Sequence, residues 1–384
     1  MKDSFTVPFY LLGFSCFVLF LTFSSEVSLD KHVSSVKENL SKKFGNFVRT
    51  NALELRNSLL STTMTSYTST SAASPPVELM TSPANVTQLR VLLQTSYRSG
   101  SSFVGEFLGQ NPDAFYAFEP LYFIRNNRSS REEKREALMD FLFRCNVTSL
   151  ERFGRGKDTK RSYKFWIKKA FSSENFTEAQ RKCEQSRDVM VKTIRIELLN
   201  ETLPRFKEEG GVVLYMLRDP RGVIGSRVHL HGDIYSQRWV NNAKQLCNQH
   251  LTNLKFLRTS LSSDGRFIYE KMFALLRYEE FAVRPIEMAN KLYDFLGRKV
   301  PQKLLNFIGN STQVTKGNAY STKRNSLDTY QQWRTHLPFD VVREIQGVCR
   351  GSMEALGYKM VTRRTMKQLD SNLLLPMSPD THSL

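Results

Sequence analysis

Leu89-Arg90-Val91-Leu92-Leu93, then Tyr97-Arg98-Ser99-Gly100-Ser101-Ser102-Phe103, then Val104-Gly105-Glu106-Phe107-Leu108 is the stretch whose reading decides the fold. The first run is short and apolar, as a buried strand is. The last can open a helix. Between them lies a turn of small hydroxyl residues behind an arginine. A strand that passes through such a turn into a helix N-terminus is a ready anion site. The first N–H groups of a helix have no partner within it, and the helix dipole favours negative charge there. Tyr97, Arg98, Ser99, Gly100, Ser101, Ser102 and Phe103 are therefore the first candidate phosphate-binding residues. Taken alone, the stretch reads equally well as an ordinary strand-to-helix turn. It is not a Walker A loop, because Gly-x-x-x-x-Gly-Lys-Ser/Thr is absent and the cation stands at its start.

Further along, Val189 to Ile194, Val212 to Leu217 and Phe273 to Tyr278 read as buried strands. Pro285 to Leu296 reads as a helix stopped by Gly297. Another helix begins at Asp340, with Val342, Ile345, Cys349, Met353 and Leu356 as its apolar stripe. Strands alternating with helices predict an α/β fold, a central parallel sheet flanked by helices, with ligands at the C-terminal strand ends. The strand ending at Leu217 leads into Arg218-Asp219-Pro220-Arg221-Gly222-Val223-Ile224-Gly225-Ser226, with a helix starting near Pro220. Arg218 at the strand end and Ser226 two turns on can clamp a second phosphate. Read singly, Arg218 pairs with Asp219 and Arg221 is solvated. Together the two loops suit a nucleotide phosphorylated on both its 5′ and 3′ sides. No acidic pair is placed to hold magnesium, so no metal is expected, and phosphoryl transfer is disfavoured.

The formal net charge is +18 in a chain of 384 residues. No helix-turn-helix, zinc-finger or aromatic RNA-binding signature accompanies it, so nucleic acid is not the expected partner. Nucleotides and acidic glycans fit the charge. Val7 to Phe23 is almost wholly apolar and predicts a transmembrane signal anchor at 7–23 behind a cytoplasmic tail at 1–6; a cleaved signal ending near Thr22-Phe23-Ser24 is the alternative. Residues 24–88 read as a stem. Val33, Val36, Leu40, Phe44 and Phe47 recur at helical spacing, which leaves room for a homodimer, and the Ser/Thr-rich Ser61 to Ser74 is extended. Residues 89–362 form the globular domain, and 363–384 a mobile tail. Asn39, Asn85, Asn127, Asn146, Asn175, Asn200 and Asn310 each begin an Asn-x-Ser/Thr sequon, which fits a secretory address. In that setting Cys145, Cys183, Cys247 and Cys349 allow two disulfides in three connectivities; four free buried thiols are the other reading.

Arg98-Ser99-Gly100-Ser101-Ser102-Phe103 resembles the 5′-phosphosulfate loop of Golgi carbohydrate sulfotransferases, and Arg218 to Ser226 resembles their 3′-phosphate motif. Phe118-Glu119-Pro120-Leu121-Tyr122, Val191 to Arg195, Leu276 to Glu280 and Tyr320 to Ser326 extend the match, which runs from about Leu89 to Lys359. The chain is most similar to the galactose/N-acetylgalactosamine/N-acetylglucosamine 6-O-sulfotransferases, in the keratan sulfate and chondroitin branch.

That resemblance implies a sulfotransferase fold and a single-pass type II Golgi membrane protein. It implies 3′-phosphoadenylyl sulfate as co-substrate and a glycan or proteoglycan acceptor sulfated at a 6-hydroxyl. Arg98 and the N–H groups of Ser99 to Ser102 would stabilise the leaving phosphate. Arg218 and Ser226 would hold the 3′-phosphate, and Arg324 would touch the nucleotide. Glu119 is the implied base, with His229 and His231 as rivals; the bland reading is that Glu119 pairs with Lys192 or Arg195. Arg277 and Glu279 are read as a structural pair, and Trp239 and Trp333 as core rings. The competing functions are an inactive glycan-binding membrane protein of the same fold, and a nucleotide phosphatase or kinase, which the missing Walker and magnesium residues disfavour.

Overall fold

The computed structural model describes residues 88–124, 130–151, 160–232, 238–311, 329–369 and 372–382. Five strands form one sheet: β1 (Leu89–Thr95), β2 (Ala114–Phe118), β3 (Asp188–Thr193), β4 (Val212–Leu217) and β5 (Phe273–Arg277). Their order is β2-β3-β1-β4-β5, and every neighbouring pair is parallel. The helices are α1 (Ser101–Gly109), α2 (Arg131–Arg144), α3 (Lys160–Phe171), α4 (Phe176–Gln185), α5 (Leu203–Glu209), α6 (Pro220–His231), α7 (Arg238–Thr259), α8 (Tyr278–Val283), α9 (Pro285–Phe295), α10 (Gln302–Ser311), α11 (Trp333–His336), α12 (Phe339–Ala355) and α13 (Arg363–Met366).

Strands covered on both faces must be apolar on both, which is why β3, β4 and β5 are buried from end to end. Their side chains alternate between two cores. Val91, Leu93, Leu214 and Leu276 pack with Phe103, Phe107 and Tyr293 on one face. Leu92, Val213 and Leu275 pack with Phe141, Leu254 and Ile345 on the other. The chain leaves β1 toward β2 and β3 on one side and toward β4 and β5 on the other. The loops after β1 and β4 therefore flank the switch point, where ligands of open parallel sheets bind.

The edge strand β2, which leads directly into Glu119, has no counterpart in the sequence reading. Ala-Phe-Tyr-Ala-Phe alternates half-buried and buried residues and is too short for its period to declare itself. The four thiols form Cys145–Cys183 and Cys247–Cys349, tying α2 to α4 and α7 to α12.

Three expectations are corrected. The preceding transmembrane helix is the first: among the described residues no helix is long and apolar enough to cross a membrane. Residues 7–23, on which that expectation rested, lie outside the described residues, as does the stem with its proposed dimer contact. The signal anchor and the single-span membrane partner rested on that segment, and the Golgi type II topology on it and on the family resemblance; no described helix supports any of the three. Second, residues 372–382 are not a loose tail. Leu374 bridges Tyr358, the Leu275 N–H donates to the His382 carbonyl at 3.0 Å, and the His382 ring stacks on Phe267 at 3.5 Å. Third, Arg277 does not pair with Glu279. Its guanidinium bonds Glu280 at 2.7 Å and the carbonyls of Leu356 and Leu375.

Candidate active site

The loop after β1 turns sharply because Arg98 and Gly100 both take the left-handed conformation, at φ 68° and 86°. At Gly100 a side chain is excluded twice over: by that φ, and because a Cβ would drive into the Tyr278 ring. The turn aims the start of α1 outward. The Ser99 N–H donates back to Ser96 O at 3.3 Å, and the Phe103 N–H to Gly100 O at 3.0 Å. Between them the N–H groups of Gly100, Ser101 and Ser102 meet no backbone acceptor among the described residues, and no side chain caps the helix. Three unpaired donors at a helix N-terminus form a cradle for an anion.

Ser99 itself faces inward. Its hydroxyl is buried, 2.6 Å from Thr95 Oγ1 and 2.7 Å from the Ser96 carbonyl, and Thr95 in turn donates to Met216 O on β4. This residue braces the loop rather than lining it. Phe103 packs against Phe107, Tyr278 and Phe307. Tyr97 is held by its carbonyl, which accepts from Arg227 Nη2 at 2.9 Å and Nε at 3.2 Å. Arg227, to which the sequence reading gave no role, is thus the clamp on the start of the loop.

The two candidate motifs meet. Arg98 Nε donates to Ser226 Oγ at 3.0 Å, and Arg218 Nη1 donates to the Arg98 carbonyl at 3.3 Å. Arg218 leaves the end of β4, lies over the Tyr278 ring at 4.7 Å and donates from Nη2 to Thr329 O. Its Nε is buried without a hydrogen-bond partner among the described residues. A Cβ at Gly222 would sit 2.9 Å from that Nε, so the glycine lets the guanidinium cross the start of α6. A buried, unsatisfied guanidinium N–H beside an open helix N-terminus fits a phosphorylated nucleotide.

Within the second motif the structure separates ligand-facing residues from supports. Asp219 and Arg221 bind each other: Arg221 Nη2 reaches Asp219 Oδ2 at 2.6 Å and Nε reaches Oδ1 at 2.9 Å. Arg221 has no exposed surface. It also bonds Gln346 and the Lys359 carbonyl, and stacks on Trp333 at 4.2 Å. The solvated Arg221 and the Arg218–Asp219 pair read from sequence are both replaced by this brace. Pro220, Val223, Ile224 and Gly225 are buried at the N-terminal half of α6 and position it. Beneath them Glu279 accepts from the Asp219 N–H at 2.9 Å and from Tyr358 Oη at 3.0 Å. Burial, reinforced by the Asp219 charge, pushes its carboxyl up to about 7. Arg324 lies outside the described residues.

Glu119 follows the last residue of β2 in the left-handed region at φ 55°, with 5% of its surface exposed. Lys192 Nζ, at the end of β3, donates to its Oε1 at 2.7 Å. Burial lowers the Lys192 ammonium's hold on its proton, and the Glu119 carboxylate opposes that shift. Arg195 Nε stands 3.4 Å from Oε2, but the pair is misaligned: both atoms are buried without a hydrogen bond. Oε2 therefore keeps a lone pair free for a donor. The Lys192 pairing weighed in the sequence reading is present, and it occupies only one oxygen. His229 and His231 lie in the last turn of α6, about 14 Å along the helix from its start, where His229 stacks against His336. Trp239 and Trp333 are core rings.

Comparison with known proteins accords with this geometry. Carbohydrate sulfotransferase 3 of Tetronarce californica is 27% identical over 322 residues, covering 71% of this chain and 73% of that protein. Carbohydrate sulfotransferase 1 of Mus musculus is 28% identical over 329 residues, covering 70% and 79%. Among solved structures, mouse sulfotransferase SULT7A1 complexed with PAP aligns over 74% of this chain and 88% of its own at 11% identity and a TM-score of 0.40, values too low to argue from. The model of the sulfotransferase domain matches residues 88–367, most of the chain and all five strands, and the chain belongs to that family.

Proposed function

We propose that the chain transfers the sulfo group of 3′-phosphoadenylyl sulfate to a carbohydrate hydroxyl, and that the acceptor position is the 6-hydroxyl of galactose, N-acetylgalactosamine or N-acetylglucosamine in a keratan sulfate or chondroitin type of glycan. One observation carries the reading: the open N–H groups of Gly100, Ser101 and Ser102 and the Arg218 guanidinium are joined into one site through Arg98 and Ser226. The names of the relatives support a carbohydrate acceptor, and the sequence resemblance supports the 6-position.

The donor supplies an activated sulfuryl group, whose bond to the bridging phosphate oxygen breaks as the acceptor oxygen attacks. The three open N–H groups and Arg98 stabilise charge gathering on that phosphate. Arg218 and Ser226 hold the second phosphate and set the register. Glu119 Oε2 takes the acceptor's proton, while Lys192 keeps Oε1 oriented. Two strand spacings, about 10 Å, separate the ends of β1 and β2, which leaves room for a sugar between the cradle and Glu119.

Incubation with radiolabelled donor and a panel of glycans, followed by linkage analysis of the product, tests this. Arg98→Ala and Arg218→Ala should each cut transfer by about 100-fold or more. Glu119→Gln should cost about 10²- to 10⁴-fold in kcat with nucleotide affinity retained. Nucleotide binding with no transfer to any acceptor would leave a binding protein instead. Near-full turnover by Glu119→Gln would remove Glu119 as the base.

A further inference from the structure

Beyond Glu119, on the side away from the nucleotide cradle, α3 presents a cluster that the transfer chemistry does not use. The Trp166 ring stacks on Tyr122 with centroids 3.6 Å apart. Phe165 meets Trp166 edge-on and is 59% exposed, although the same helix buries Ile167, Ala170 and Phe171. Lys169 Nζ stands 4.7 Å from the Trp166 centroid and within reach of the Phe118 and Phe165 rings. The Arg195 guanidinium lies 5.3 Å from the Tyr122 centroid.

Charge and shape agree at this face. Lys168, one residue away, is neutralised by Glu174 at 2.8 Å, whereas Lys169 has no carboxylate within ion-pair range among the described residues. Lys169 and Arg195 each lie near enough to Lys192 for their charges to loosen its hold on its proton, and Glu119 is the carboxylate that pairs with Lys192 and Arg195. Lys169 thus adds a third cation beside a pair that shares one carboxylate. An exposed Phe165 ring beside the half-buried Trp166 and Tyr122 rings, with cations over them, suits a sugar, whose apolar C–H face covers an aromatic ring while an anionic substituent reaches the cation.

We propose that Phe165, Trp166 and Lys169, with Tyr122 and Arg195, form an acceptor subsite that seats a sugar ring and pairs its sulfate or carboxylate with Lys169 and Arg195. The subsite rests on the carbohydrate-acceptor reading above. It makes the enzyme prefer an acceptor that already carries negative charge next to the residue being modified.

The test is a fluorescence titration of the full chain, without donor, using three hexasaccharides: neutral poly-N-acetyllactosamine, its 6-sulfated form, and unsulfated chondroitin, whose anion is a carboxylate. At least one anionic sugar should bind about tenfold tighter than the neutral one, with an advantage that shrinks as salt rises. The tighter of the two identifies the anion. Lys169→Gln should bring the anionic sugar to the neutral level and Lys169→Arg should restore it, a pattern that a structural role would not produce. Phe165→Ala, at an exposed position that leaves the melting temperature unchanged, should weaken all three sugars several-fold. Equal affinity for neutral and anionic sugars, no binding of any of them, or indifference to Lys169→Gln and Phe165→Ala would overturn the proposal. Binding in the expected pattern with no sulfo transfer would refute the transferase reading and leave the subsite standing.

Discussion

Gly100 shows how much of the site depends on single backbone positions. At φ 86° an L side chain costs roughly 1–2 kcal/mol, and here a Cβ would also collide with Tyr278, the ring that lies beneath Arg218. Gly100→Ala should therefore raise the KM for the nucleotide by more than tenfold while changing the acceptor KM far less, a split that steady-state kinetics reads directly. Glu279 makes a different prediction. Its folded carboxyl titrates at about 7 against an ordinary 4.5. Between those values the native state keeps a proton that the unfolded chain has lost, so stability falls as pH rises from about 4.5 to about 7, by at most about 1.4 kcal/mol per unit, and then levels off. Glu279→Gln should flatten that slope, as denaturant melts across pH would show. An unchanged slope would mean that Glu279 is ionised in the fold.

At the scale of elements, the two helices of the candidate site are set by different means. α1 follows its strand through a five-residue turn and is positioned locally. α6 is fixed from a distance: Arg221 spans from Asp219 to Gln346 on α12 and to the Lys359 carbonyl, and Cys247–Cys349 fastens α7 to α12. That disulfide closes a loop with a sequence separation of 102 residues. By the chain-entropy estimate its removal costs about 4–5 kcal/mol. Cys247→Ser with Cys349→Ser should lower the melting temperature accordingly and weaken nucleotide binding through α6. An unshifted melting temperature would show that the helices hold one another by packing alone.

For the molecule as a whole, the outer edge of β5 is the exposed flank of a parallel sheet, a liability for pairing with other chains. Residues 372–382 close it. His382 O takes the Leu275 N–H, and Leu375 O takes Arg277 Nη1 at 2.7 Å. Ending the chain after Lys367 should cost on the order of 2–3 kcal/mol and increase light scattering on warming. A truncated chain that melts and stays dispersed like the full one would remove this role.

Residues that act through local geometry were legible in the sequence. Strand, turn and helix follow one another between Leu89 and Leu108, so the anion cradle could be read there, and buried strands announced a parallel sheet by their apolar runs. Partner choice was not legible. Asp219 takes Arg221 rather than Arg218, Glu119 gives one oxygen to Lys192 and keeps the other, and Cys145 finds Cys183, because each pairing depends on strand order and helix docking across tens of residues. The short edge strand β2 escaped for the same reason: its neighbour is β3, some seventy residues on, and only the folded sheet makes it a strand. Thus the sequence determined an α/β sheet with two candidate anion-binding loops at its strand ends. The tertiary structure decided which side chains of those loops stand open and which brace them, because those pairings are made between residues far apart in the chain.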